Sequence, residues 1–91
     1  MDETARLYAA MCTLKTPDEA RAFLADLLST REIDDLSQRL EVARLLAEGR
    51  SYHAVSEATG ASSTTVSRVS KCLNGERGGY RIVLERLGER L

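Results

Sequence analysis

Apolar residues recur along most of this chain at intervals of three and four, which is the spacing of one face of an α-helix. Leu7, Met11 and Leu14 have this spacing and predict a first helix from Glu3 to Leu14. A last helix is predicted after the turn-forming residues 74–79, NGERGG. Its apolar face comprises Tyr80, Val83, Leu84, Leu87 and Leu91. The whole pattern predicts an all-α fold of about six helices joined by short loops.

The second helix has a clear start signal in the sequence TPDE. Thr16 can accept a hydrogen bond from a backbone N–H group, Pro17 suits the first helical position, and Glu19 completes a capping box. We therefore predict a helix from Pro17 to about Leu28. Its buried face is expected to comprise Phe23, Leu24, Leu27 and Leu28.

A longer helical segment follows in residues 30–49. Ser29 or Thr30 can cap its start, with Glu32 in the first turn, and Gly49 can end it. Because the sequence DDLS at residues 34–37 could also cap a helix, the pattern leaves open whether this segment is one helix or two. Its apolar stripe is wide enough to pack on two sides and comprises Ile33, Leu36, Leu40, Val42, Ala43, Leu45, Leu46 and Ala47.

Residues 51–73, SYHAVSEATGASSTTVSRVSKCL, contain nine serine and threonine residues and a single glycine. Two short helices are predicted here: one from Tyr52 to about Ala58, which Ser51 can cap, and one that Ser62 or Ser63 can cap and that runs to about Leu73. Gly60 can make the turn between them, because glycine adopts left-handed backbone conformations at little cost. Two helices joined in this way are typical of the DNA-binding helix-turn-helix. The inner faces are expected to comprise Val55, Val66, Val69 and Leu73.

The outer face and first turn of the second of these helices carry small hydroxyl side chains and cations. Such side chains allow a helix to approach DNA closely and to bond phosphates and base edges. The sequence TTVSRVS is also compatible with a β-strand, because its β-branched residues alternate, but its position in a helical chain favours the helix. The residues predicted to contact DNA are Ser62, Ser63, Thr64, Thr65, Ser67, Arg68 and Lys71.

The size and charge of the chain bear on its partners. We expect a single domain over residues 1–91, and a core of this size is marginal alone, so homodimerisation would add buried surface. A net charge of −1 gives the protein little overall electrostatic attraction for nucleic acid. However, residues 1–49 carry six Lys and Arg against ten Asp and Glu, whereas residues 50–81 carry five against two. An acidic body with a basic segment is compatible with DNA binding. The alternative is a helical module that binds a protein partner.

The sequence lacks the residue patterns that several other functions require. No nucleophile is paired with a positioned base and no glycine-rich phosphate loop occurs, so we do not expect an enzyme. Cys12 and Cys72 have no metal-ligand spacing, and we expect reduced thiols, no metal and no cofactor. Without a signal peptide or an apolar run of membrane length, the protein is predicted to be soluble and cytoplasmic, with no membrane partner.

Residues 36–73, LSQRLEVARLLAEGRSYHAVSEATGASSTTVSRVSKCL, carry three linked motifs. These are a helix that ends in LL-x-x-G, a short S-Y-x-x-[IV] helix, and A-S-[ST]-x-T-[IV]-S-R-V. In these motifs, and over nearly its whole length, the chain resembles the Trp repressor superfamily and, within it, the small TrpR-related YerC/YecD family. The resemblance implies a six-helix fold in which two chains intertwine. It also implies a transcriptional regulator, expected to be a repressor, that binds double-stranded DNA as a homodimer.

The resemblance further implies where an effector would bind. Trp repressor holds its corepressor tryptophan between the long helix and the recognition helix, where the corresponding positions here are Gln38, Arg68, Val69 and Cys72. Arg68 matches the family's ligand-contacting arginine. Gln38 stands where an arginine would hold the ligand carboxylate, Val69 where a glycine leaves room for the indole ring, and Cys72 where a serine would bond the amino group. We therefore expect a vestigial pocket that does not respond to tryptophan, and the sequence names no other effector.

Other cationic side chains are candidates for contacts with DNA. His53 lies where the family places a phosphate or base contact, and Arg50, Lys71 and Arg77 are candidates on charge alone. Arg68 could contact a phosphate, line the pocket, or pair with an acidic residue of the long helix. For each of these side chains the alternative is an ordinary solvated position.

Overall fold

The computed structural model describes residues 1–88 and contains six α-helices in that part of the chain. No strand occurs among these residues, and the all-α prediction is confirmed. Leu91, which the apolar pattern placed on the last helix, lies outside the described residues. No helix within residues 1–88 combines the length and apolar composition needed to cross a bilayer. The helices are α1 (Glu3–Met11), α2 (Pro17–Leu27), α3 (Thr30–Ala47), α4 (Tyr52–Thr59), α5 (Ser63–Leu73) and α6 (Gly79–Arg86).

Side-chain caps set the starts of α2 and α3. Thr16 Oγ1 accepts a hydrogen bond of 3.1 Å from the backbone N–H of Glu19. Ser29 and Glu32 form a reciprocal capping box, in which each backbone N–H donates to the other side chain, at 2.9 and 3.2 Å. The hydrogen bond from the Ser29 backbone N–H, together with hydrogen bonding by the Ser29 side chain, lowers the pKa of the Glu32 carboxyl group. Ser29, rather than Thr30, is therefore the cap of α3.

Two predicted helix lengths are settled by the structure. α3 runs unbroken through Thr30–Ala47, so this segment is one helix. α1 is shorter than predicted, because it ends at Met11 rather than Leu14. The backbone N–H of Thr13 bonds to the carbonyl oxygen of Ala10 at 3.1 Å, a tight i to i−3 bond of the kind that closes helix ends.

The chain divides into two compact units, one of residues 1–33 and one that begins at Asp34. No residue of the first unit is buried. Phe23, Leu24 and Leu28 are half-buried, whereas Leu27 is 50% exposed. The predicted buried face of α2 is thus only partly covered within one chain.

The second unit contains the hydrophobic core, in which α5 packs against α4 and α6. Two regions of the predicted apolar faces lie outside this core. Leu36 and Leu40 on α3 are exposed, as are Val83 on α6 and Leu87, which caps the end of that helix. One chain therefore leaves part of the apolar faces of these two helices uncovered. The core comprises Val42, Ala43, Leu45, Val55, Ala61, Val66, Val69, Leu73 and Leu84.

Candidate nucleic-acid interface

The turn between α4 and α5 has the predicted glycine in a left-handed conformation. Gly60 has φ of +74°, and its N–H closes α4 by bonding to the carbonyl oxygen of Ser56 at 2.9 Å. The hydroxyl of Ser56 donates to the carbonyl oxygen of Ala61 at 2.6 Å, and the N–H of Ala61 donates to Thr59 Oγ1 at 3.2 Å. These bonds fix the path of the chain from one helix to the next.

Each of the two helices begins at a serine cap. Ser51 Oγ accepts from the N–H of Ala54 at 3.1 Å, and Ser62 Oγ accepts from the N–H of Thr65 at 3.1 Å. Ser62, rather than Ser63, is thus the cap of α5. α4 extends to Thr59, one residue beyond the predicted end. The inner faces match the prediction, because the buried residues of α4 and α5 include Val55, Val66, Val69 and Leu73.

α5 presents a hydroxyl-rich face to solvent. Thr65 differs from the other predicted contacts, because it is half-buried and its Oγ1 accepts a hydrogen bond of 3.1 Å from the hydroxyl of Ser62. It therefore belongs to the cap of the helix. The remaining members of the predicted set are all exposed and comprise Ser62, Ser63, Thr64, Ser67, Arg68 and Lys71.

The predicted phosphate contacts of the preceding segment, Arg50 and His53, each lie near a carboxylate group. Arg50 Nε is 3.3 Å from Glu48 Oε2, and the Arg50 side chain is 53% exposed. His53 Nε2 is 3.8 Å from Glu57 Oε1, which is beyond hydrogen-bond distance, and its side chain is 86% exposed. Exposed pairs of this kind contribute at most about 1 kcal/mol. Both side chains are therefore available to another anion. Arg77 is also exposed.

A small cavity of about 130 Å³ lies beside α5, at the predicted effector site. Arg39 lies on its wall, whereas Gln38 is not among the residues that line it. Gln38 Nε2 instead donates to the carbonyl oxygen of Thr59 at 3.2 Å. The lining comprises Arg39, Thr65, Arg68, Val69, Cys72 and Tyr80.

The cavity combines a cationic wall with little free space. Burial raises the pKa of the Tyr80 phenol, the neighbouring Cys72 thiol raises it further, and Arg39 acts in the opposite direction. Val69 is only 3% exposed. A volume of about 130 Å³ is well below the ~300–1,000 Å³ typical of ligand pockets. Within residues 1–88 no ion pair joins Arg68 to an acidic residue of α3, so the structure gives no support to that alternative.

A larger, mainly apolar groove of about 740 Å³ lies between α3, the end of α5 and α6. Leu40, Tyr80 and Val83 contribute apolar surface to it, and Cys72 lies on its wall as well as on that of the small cavity. Cys12 and Cys72 both have free, exposed thiols. No cluster of three His, Cys, Asp or Glu side chains that could hold a metal ion occurs in the described part of the chain.

Comparisons with known proteins were consistent in sequence and in structure. Residues 2–88 match the sequence profile of the family described as Trp repressor protein. The uncharacterized protein YerC of Bacillus subtilis (strain 168) is 44% identical over 87 residues, which cover 96% of this chain and 84% of that protein. A TrpR-like protein from Eubacterium eligens ATCC 27750 has 46% identity and a TM-score of 0.88, over 96% of this chain and 90% of that one. A proposed Trp repressor from Staphylococcus aureus has 34% identity and a TM-score of 0.89, over 96% of this chain and 87% of that one.

Proposed function

Because the chain belongs to the Trp repressor family, a family of regulators rather than enzymes, we propose that it is a sequence-specific DNA-binding transcriptional regulator and acts as a homodimer. One observation carries the proposal. The exposed face of α5 is rich in hydroxyl groups and cations, while Val66 and Val69 anchor its opposite face in the core. The turn at Gly60 holds this helix against α4 in the arrangement that DNA-binding helix-turn-helix proteins use. We expect the regulator to be a repressor.

In the proposed mechanism, α5 of each subunit enters the major groove of double-stranded DNA. Small side chains in its first turn allow its backbone to approach the base edges, and the cations around it bond phosphates. Two subunits related by a two-fold axis would bind half-sites about one helical turn apart. Base contacts are assigned to Ser63, Thr64 and Ser67, and phosphate contacts to Arg50, His53, Arg68 and Lys71. Ser62 and Thr65 would hold the first turn of the helix in place.

Exposed apolar surface supports the homodimer. Residues 1–33 include no buried side chain, although this unit carries half-buried Phe23 and exposed Leu27. In the second unit, the groove beside Leu40 and Val83 is mainly apolar. A single chain thus leaves uncovered the surfaces that a stable domain of this size needs to bury. An intertwined dimer, as the family resemblance implies, would cover them.

The small cavity supports a regulator that does not respond to tryptophan. Val69 occupies space at the wall where the family's glycine leaves room for the indole ring, and only about 130 Å³ is free. Two arginine side chains remain there, so the cavity keeps a cationic character without the volume for a bicyclic ligand. We propose that the protein works in the cytoplasm without a membrane partner or cofactor.

Selection of bound sequences from a random pool of DNA duplexes tests this function. The purified protein at moderate salt should enrich a two-fold symmetric site, and light scattering on the same sample should give the mass of a dimer. Failure to enrich any sequence, with the dimer present, would contradict sequence-specific binding. Enrichment by a monomer would contradict the dimer.

Salt dependence distinguishes this function from the alternative, a helical module that binds a protein. Binding through six to ten phosphates should weaken by ~10³–10⁵-fold between 50 and 200 mM salt, because counterions are released from the DNA. An apolar protein interface would respond little to the same change. A flat salt profile would therefore favour the protein-binding alternative.

A further inference from the structure

A third cavity, of about 460 Å³, lies among the end of α3, the start of α4, the end of α5 and α6. Its volume falls within the ~300–1,000 Å³ of typical small-molecule sites, unlike the cavity beside Val69. The sequence motifs did not indicate it, because its lining comes from four helices. Its polar wall comprises Arg50, Tyr52, Ser70, Asn74 and Arg81.

Two guanidinium groups make this wall cationic and rich in donors. Arg81 Nε donates to the carbonyl oxygen of Leu73 at 2.8 Å, which anchors the side chain on the end of α5. Its four other N–H donors have no acceptor within residues 1–88. In the described part of the chain, Arg50 is paired only through Nε, with Glu48 Oε2 at 3.3 Å. Among residues 1–88, no acidic side chain lines the cavity.

Neutral polar groups continue the wall between α4 and α5. Ser70 is the buried polar residue of α5, and it is only 8% exposed. Its hydroxyl oxygen accepts a hydrogen bond of 2.5 Å from the hydroxyl of Tyr52. Asn74 Nδ2 donates to the carbonyl oxygen of Ser70 at 2.9 Å. These bonds hold fixed polar atoms beside the two arginines, while Leu46 and Leu73 supply apolar surface.

We propose that this cavity binds a small organic anion, a carboxylate or phosphate on a compact apolar body, and that the bound anion lowers affinity for DNA. Guanidinium groups bond carboxylates and phosphates in the same planar, two-pronged way, so Arg50 and Arg81 suit either group. The apolar body of the ligand would contact Leu46 and Leu73. The claim on DNA affinity rests on the proposed function, whereas the claim on anion binding stands without it.

The antagonism follows from the position of Arg50. This side chain lines the cavity and is also a candidate for a phosphate contact. A guanidinium group neutralised by a bound anion is no longer available to DNA. The cavity also reaches the first turn of α4 through Tyr52, next to His53. Because binding free energies are reciprocal, DNA and the anion would weaken each other's binding by the same factor.

Isothermal titration of the DNA-free protein with benzoate and with phenyl phosphate tests the site. We expect saturable binding of at least one probe, and a loss of about tenfold or more in affinity in Arg81→Gln, which removes charge-assisted hydrogen bonds. The matched control is Arg86→Gln, which makes the same charge change on the same helix but outside the cavity, and should bind like the wild type. Absence of saturable binding to the wild type, or an equal loss in both variants, would overturn the site.

A second variant separates binding from folding. Arg81 also bonds the end of α5, so Arg81→Gln must keep the helical circular dichroism spectrum of the wild type. Arg50→Gln changes a half-exposed side chain without such a bond to the backbone. It should lose affinity for the probe as well. A folded Arg50→Gln variant that binds the probe with wild-type affinity would overturn the proposed role of Arg50 in anion binding.

Fluorescence anisotropy with a selected DNA site, at constant ionic strength, tests the antagonism. A saturating probe should raise the Kd for DNA by about fivefold or more in the wild type and leave it unchanged in Arg81→Gln. A probe that binds the wild type without changing this Kd would overturn the antagonism. If the protein binds no DNA at all, the proposed function fails, and the titration without DNA still decides whether the anion site exists.

Discussion

The hydroxyl of Ser56 donates a hydrogen bond of 2.6 Å to the carbonyl oxygen of Ala61, across the turn that joins α4 to α5. Ala61 is only 3% exposed, so a carbonyl group left unpaired there would be costly. The bond connects the last turn of α4 to the residue that precedes the cap of α5. It therefore contributes directly to the angle between α4 and α5.

Replacing Ser56 with alanine should lower the free energy of unfolding by about 1–3 kcal/mol, because the Ala61 carbonyl loses its partner. Urea unfolding followed by circular dichroism measures this. Ser67→Ala, on the exposed face of α5, should change the same quantity by less than about 0.5 kcal/mol. Equal effects of the two substitutions would mean that the Ser56 bond contributes nothing specific.

A second prediction concerns the backbone at Gly60. A Cβ atom at this position would meet no atom within 4 Å, but φ is +74°, so Gly60→Ala is penalised by backbone conformation alone. We expect a loss of about 1–2 kcal/mol in the free energy of unfolding. Gly79→Ala is the matched control, because that Cβ also meets open space and Gly79 lies in α6 without a positive φ. It should be neutral or stabilise by up to about 1 kcal/mol.

Features that depend on neighbours in sequence were predictable. The caps at Thr16, Ser51 and Ser62 and the left-handed turn at Gly60 follow from local hydrogen bonding and backbone sterics. A capping side chain can accept a hydrogen bond from the backbone N–H three residues later, and this bond does not depend on distant parts of the fold. The all-α fold and the buried faces of α4 and α5 follow from the spacing of apolar residues at intervals of three and four.

Features that depend on distant contacts were not predictable in the same way. The resemblance placed Gln38 in the effector cavity, whereas its side chain bonds to the backbone of Thr59 and Arg39 lines the cavity. Spacing marked Val83 and Leu87 as apolar but could not show that one chain leaves them exposed. Residues from four helical regions line the cavity that contains Arg81. No local sequence pattern predicts that these regions lie close together.

The third prediction tests the DNA-binding face of α5. Thr64→Glu places a carboxylate where we expect DNA, so affinity for a selected site should fall by about 100-fold or more. The fold should persist, because Thr64 is exposed in the first turn of α5, where the helix dipole favours an anion. Arg21→Gln makes the same change in net charge at a side chain that is 81% exposed in the other unit. Anisotropy titrations that show equal affinities for Thr64→Glu and Arg21→Gln would contradict the assignment of this face.

The fourth prediction uses two neighbouring residues of α6. Val83 and Ile82 are 46% and 48% exposed, but only Val83 lines the apolar groove. If the groove is part of the dimer interface, Val83→Asp should shift light-scattering mass toward the monomer, because a carboxylate would be buried without a partner. Ile82→Asp should keep the dimer. A dimer that tolerates Val83→Asp would place the interface elsewhere.

The last prediction is that tryptophan changes neither the melting temperature of the protein nor its affinity for DNA. A ligand present at about 100 times its Kd adds ~2.7 kcal/mol of stability, which thermal melting detects easily in a domain of this size. Val69→Gly should restore some response, because it opens space beside Arg39 and Arg68 while leaving both cations in place. The control Val69→Ala opens less space and should respond less. A thermal shift with tryptophan in the wild type, lost in Arg68→Gln, would instead establish that Val69 moves aside and that the cavity still serves the family's ligand.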